Sequence, residues 1–135
     1  MNQPFDRLPA MHAVARVTLA AVYLWHGLVP KLLFHHPDEP ALLRDAGLSA
    51  ASAARTVEIV GVVEVGFALF LLVAWRVRAL FLLSTLAMVV VTPGIMIHSP
   101  RFIPAAFTPV TFNLCVAALG VVGWLASAPR GAVHE

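Results

Sequence analysis

Charge is scarce in this sequence, and cysteine scarcer still. Nine Lys and Arg and seven Asp and Glu amount to 12% of 135 residues, while 60% are hydrophobic. Soluble domains average about 25% charged and about 45–50% apolar residues. A soluble fold this short leaves much of its surface wet and could not hide so much apolar side chain. Lipid is the solvent that suits the composition, and a mean hydropathy of +0.86 agrees. The one cysteine, Cys115, lies in an apolar run. It excludes an intrachain disulfide, a CxxC redox pair and a cysteine zinc site. Basic runs are absent and the net charge is only +2, which leaves nucleic acid without a footprint. The six histidines show neither HxxxH nor HExxH spacing, so no metal site is expected. Histidines on two different spans are the minimum for axial haem ligation, and no further signal supports it.

Long apolar runs are what the chain does have. The first covers residues 10–29 and is expected to end at Pro30. Its length of about 20 residues exceeds the roughly 7–15 of a signal-peptide core and matches a helix crossing about 30 Å of hydrocarbon. Further spans are expected over residues 55–75, 79–98 and 109–127. Arg76-Val77-Arg78 is so short a connection that the second and third spans should be antiparallel neighbours. Residues 31–54 make the only sizeable loop, where Asp38, Pro40 and Gly47 predict a short helix. Pro93-Gly94 should kink the third span, and Thr108-Pro109 should open the fourth. Gly61, Gly66, Gly94, Gly120 and Gly123 are expected to let helices approach closely. The expected architecture is all-α: one integral membrane four-helix bundle with a short interfacial helix in the first loop. Arg76 and Arg78 weigh most in placing both termini on the cytoplasmic side.

The informative residues are those in the wrong solvent. Glu58 and Glu64 lie in the second span, and a charge at mid-membrane costs at least ~2.5–3.5 kcal/mol, so such groups usually face the bundle interior or water. The antiparallel layout brings His26, Lys31, Arg55, Glu58, His98 and Asn113 to one end of the bundle, with Glu64 beneath them. These are the candidate ligand-binding or proton-relay residues; no catalytic residue is assigned. Each also has a plainer role. Glu58 can pair with Arg55 at a helix end, Glu64 with Arg16 across the first helix, and Asn113 can bond between helices. His35 and His36 read as solvated loop residues.

The run Trp25-His26-Gly27-Leu28-Val29-Pro30-Lys31-Leu32 and the run Gly61-Val62-Val63-Glu64-Val65-Gly66-Phe67, with Phe112-Asn113-Leu114 as a softer match, resemble the DoxX-like family. The resemblance covers nearly the whole chain. It implies a small four-helix protein of the bacterial inner membrane, and carries Gly27, Lys31 and Glu64 over as pattern residues. It also implies the company such proteins keep: quinone-dependent sulfur oxidation, other membrane redox complexes, or assembly of membrane proteins. The expected function is an accessory or quinone-interacting subunit of a membrane redox system, with a membrane or redox protein as partner. The alternatives are a non-enzymatic assembly or binding module, or a small transporter. A homo-oligomer is compatible with all three.

Overall fold

A computed structural model describes residues 7–105 and 108–127. The chain forms α1 (Leu8–His26), a π-helical continuation (Gly27–Leu33), α2 (Asp38–Asp45), α3 (Ala50–Val73), α4 (Ala79–His98), a 3-10 turn (Pro100–Phe102) and α5 (Pro109–Ala126). Four of these helices are long and apolar enough to cross a membrane: α1 with its continuation, α3, α4 and α5. No strand occurs among the described residues. The protein is therefore an all-α, multi-pass membrane protein, with α2 as a short helix in the first loop.

Local chemistry sets the helix ends. Ser49 Oγ accepts from Ser52 N–H at 3.2 Å and starts α3. Thr108 Oγ1 accepts from Val110 N–H at 3.2 Å, and Pro109 fills the first turn of α5. At the end of α2, Gly47 takes φ +99°. Its N–H donates to Arg44 O at 2.9 Å, and Leu48 N–H donates to Leu43 O at 3.1 Å. This paired closure needs the left-handed residue that glycine supplies at no steric cost.

The first span does not stop at Pro30. Proline has no N–H to give to the His26 carbonyl four residues earlier. The helix widens instead to π bonding and runs on to Leu33, with Phe34 N–H donating to Val29 O at 3.0 Å.

The order of helices across the bundle also departs from expectation. The turn between α3 and α4 makes them antiparallel, but they are not close-packed partners. α1 packs against α3 and α5, and α4 packs against α5. Small residues explain why α1 takes the centre: Ala15, Ala20 and Gly27 on α1 and its continuation, and Gly61 and Ala68 on α3, let backbones meet. A Cβ on Gly27 would stand 2.6 Å from the Gly61 carbonyl oxygen. Gly120 and Gly123 admit Thr85 and Phe81 of α4 in the same way. Gly66 and Gly94 face open space, so they do not serve the packing expected of them. The core gathers Leu19 and Tyr23, Ala68 and Leu71, Leu80 and Phe81, and Val116. Tyr23 Oη lies 3.0 Å from Ser84 Oγ and links α1 to α4 inside that core. Large apolar side chains such as Trp25, Val62 and Ile97 remain exposed, as a lipid-facing surface requires.

Candidate functional site

Two cations on the first span are buried, one towards each end of the bundle. Arg16 is fully buried. Its Nη1 donates to Leu71 O at 2.9 Å and Ala74 O at 2.8 Å, and its Nη2 donates to Val77 O at 3.0 Å. These carbonyls belong to the last turn of α3 and the connection after it, which lack helical partners of their own. The guanidinium also sits 4.7 Å from the Phe81 ring centroid and 5.6 Å from that of Trp75. The His12 ring meets both aromatic rings edge-on. The expected pairing of Arg16 with Glu64 is not formed. Glu64 lies seven residues before Leu71, about 10 Å along α3, and turns to a different cation.

That cation is Lys31, at the other end. Its side chain is only 8% exposed. Nζ lies 2.9 Å from Glu64 Oε2 and 3.5 Å from Glu39 Oε1, and donates to His26 O at 3.3 Å. The geometry follows from the motifs. Gly27 and Gly61 bring the π segment and α3 into backbone contact. Glu64, three residues beyond Gly61, lies on the same face of α3. Lys31, in the widened turn beside Pro30, reaches across to it. The approach to Oε2 is an ion pair set off the hydrogen-bond direction, which leaves this buried oxygen without an aligned donor among the described residues. α2 closes the junction from the loop side through Glu39. Its far end is tied to the end of α4 and the residues beyond, where Asp45 Oδ2 accepts from Ser99 Oγ at 2.9 Å and pairs with Arg101 at 2.9 Å.

Of the other sequence candidates, His26 touches this junction. His26 contributes its carbonyl to Lys31, while its ring stacks on Phe112 of α5 at 4.4 Å between centroids. Asn113 is buried on α5. Arg55, Glu58 and His98 are exposed. Glu58 and Arg55 make no ion pair with each other or with another described residue. Glu39 was missing from the sequence-based set. It lay in an acidic loop, and only the fold of that loop back onto α3 brings it to Lys31.

Two open cavities lie at the opposite end. One of about 340 Å³ is lined by apolar residues of α1 and α5, with Arg7 at its edge. The other, of about 350 Å³, is lined by His12, Trp75, Arg76 and Ser127, among others. No cluster of His, Cys, Asp or Glu suited to a metal ion occurs among the described residues.

A buried Lys–Glu pair held by apposed glycines can bind a polar headgroup, pass protons or fix two helices together. Comparison with curated proteins and with solved structures yields no match. The family model described as the DoxX-like family matches residues 20–121, a stretch holding Gly27, Lys31, Gly61 and Glu64. With more than half of its length matched, the chain belongs to the DoxX-like family.

Proposed function

We propose that the protein is an accessory subunit of a membrane redox system and that its Lys31–Glu64 junction receives the headgroup of a quinone. The observation that carries this reading is the 2.9 Å pair between a nearly buried ammonium and a carboxylate oxygen that lacks an aligned donor. A quinone carbonyl needs a donor, and the hydroxyl of the reduced form needs an acceptor. Lys31 offers the first and Glu64 the second. Ionisable groups within a membrane bundle are costly, and a ligand or proton path is the usual reason to keep them. Arg55, Glu58 and His98, exposed at the same end, are then suited to meet a partner protein. A bacterial inner membrane with both termini in the cytoplasm is the setting this reading assumes.

The test is titration of the full chain in lipid nanodiscs with a short-chain quinone, followed by tryptophan fluorescence, since Trp25 directly precedes His26 in the chain. Saturable quenching that is lost in Glu64→Gln and in Lys31→Met is expected. Quenching that is unchanged in both variants removes the site.

One observation favours a second reading, that of a non-enzymatic assembly module. Glu39 of α2 lies over Lys31, whose side chain is only 8% exposed, and two open cavities lie at the far end. A closed ion pair can serve only to hold α1 against α3 while an outer face docks another membrane protein. Co-purification of a stoichiometric partner, without saturable quinone binding, is the result that favours this reading.

A further inference from the structure

Glu39, Lys31 and Glu64 form a line of three titratable groups rather than a pair. Lys31 stands between two carboxylates on different elements, at 3.5 Å from Glu39 of α2 and 2.9 Å from Glu64 of α3. Exposure falls and rises along that line. The Glu39 side chain is 23% exposed, Lys31 8% and Glu64 20%. Glu39 sits in the first turn of a helix outside the membrane-crossing segments, whereas Glu64 lies well inside one. Fully ionised, the three groups carry one net negative charge in a poorly solvated place. One added proton neutralises it. Each other element packed against the group brings little that titrates. α1 contributes Tyr23, whose hydroxyl is engaged with Ser84, and His26, whose ring lies on Phe112. α5 contributes Phe112, which does not titrate.

We infer that Glu39 is the water-side port of a proton relay to Glu64, with Lys31 as the carrier. Glu39 first takes a proton from water and becomes a neutral carboxyl. Rotation of the Lys31 ammonium then aims an N–H at Glu64 Oε2, where that N–H bond breaks and an O–H bond forms. The neutral amine left behind takes the proton of the Glu39 carboxyl, which returns to carboxylate, so that one proton has moved from water to Glu64. The His26 carbonyl accepts a hydrogen bond from the amine in either charge state, so the carrier keeps its place through the cycle. Release from Glu64 to water runs the same steps backwards. The proposal concerns the site of the preceding reading, and rests on that reading only for what exchanges protons with Glu64 on the membrane side.

Lysine and arginine separate the relay from a structural pair. Arginine in place of Lys31 would keep the charge and the ion pair but would not give up its proton, whereas a buried lysine can. The experiment is a pH jump on the full chain in liposomes of neutral lipid. The carbonyl stretch of protonated Glu64 is followed by time-resolved infrared absorption and assigned by its loss in Glu64→Gln. In Lys31→Arg and in Glu39→Gln the band should rise roughly 100-fold more slowly than in the wild type, a typical contribution of a positioned proton donor. Glu39→Asp, which keeps a carboxyl at the port, should recover part of the lost rate. A Glu64 band that rises at the wild-type rate in Glu39→Gln overturns the relay, as does a Glu64 carboxyl that never protonates. Should Lys31→Arg fail to fold, Glu39→Gln alone still decides. Slow Glu64 protonation in Glu39→Gln, in a protein that binds no quinone, supports the relay and counts against the quinone reading alone.

Discussion

Arg16 and Lys31 stand on the same first span, about 22 Å apart along its axis, and both are buried. Their partners differ in kind. Arg16 is held by backbone carbonyls, which do not titrate and do not move without the helix that carries them. Lys31 is held chiefly by two carboxylates from two elements, each able to take a proton. The side chains match these tasks. A guanidinium fans several donors over several acceptors and stays charged, while an ammonium is a compact charge that can be lost. One junction fastens the α3–α4 turn to α1. The other is a place where charge can change.

The largest expected effect breaks the Arg16 junction. Arg16→Met removes three charge-assisted hydrogen bonds, leaving Leu71 O and Val77 O without this donor while Ala74 O keeps Val77 N–H; hydrogen bonds to a charged group contribute about 1.5–3 kcal/mol each, so a total loss of at least about 3 kcal/mol is expected. Reversible unfolding in detergent measures it. Arg16→Lys should recover only part, because one ammonium cannot span the three acceptors. Full recovery would mean that charge alone matters there.

Lys31→Met should cost less, about 2.5 kcal/mol, because Glu64 can protonate when its partner is gone. Adding Glu64→Leu should return most of that stability, as apolar replacement of a whole buried pair generally does. No second substitution can rescue Arg16→Met, whose partners are main chain. If the double variant is as unstable as the sum of its parts, the two junctions are not different in kind.

Glycine contacts sharpen the comparison further. Gly27→Ala would press a methyl group on the Gly61 carbonyl and on Glu64 Cβ, at a cost of about 1–3 kcal/mol, and would push Lys31 and Glu64 apart. Gly66→Ala meets nothing and should fall within about 0.5 kcal/mol of the wild type. A small effect also belongs to the α2 tether. Arg101→Ala removes an exposed pair worth about 0.2–1 kcal/mol. Its consequence should show as faster amide exchange in α2 rather than as a lower melting temperature.

Most of the fold was legible in the sequence because each crossing needs its own long apolar run. Those runs, the Thr108 start and the Gly47 stop were all visible as local chemistry. What was not legible depends on which helices touch. The short Arg76-Val77-Arg78 connection suggests that α3 and α4 pack together, but a tight turn fixes direction and not adjacency. Small residues on α1 and α5 decide that these two helices stand between them. Gly27, Lys31, Gly61 and Glu64 were readable as motif residues, and the apposed glycines explain their spacing. Glu39 was not, since an acid eight residues after Lys31 in a loop has no periodic pattern to place it. The partner of Arg16 was misjudged because backbone carbonyls leave no mark in a sequence.

The π-helical stretch from Gly27 to Leu33 has a consequence for chain length. A π turn takes in one residue more than an α turn for each hydrogen-bonded ring. The stretch is already widened, so a residue added between Gly27 and Lys31 would find no wider turn to enter and would rotate everything after it by about 100°. Every amino acid of the site would still be present, yet the ammonium would point at lipid. The site is therefore stored in the phase of a helix as much as in its side chains. Single-residue insertion there tests this more severely than exchange of any one residue.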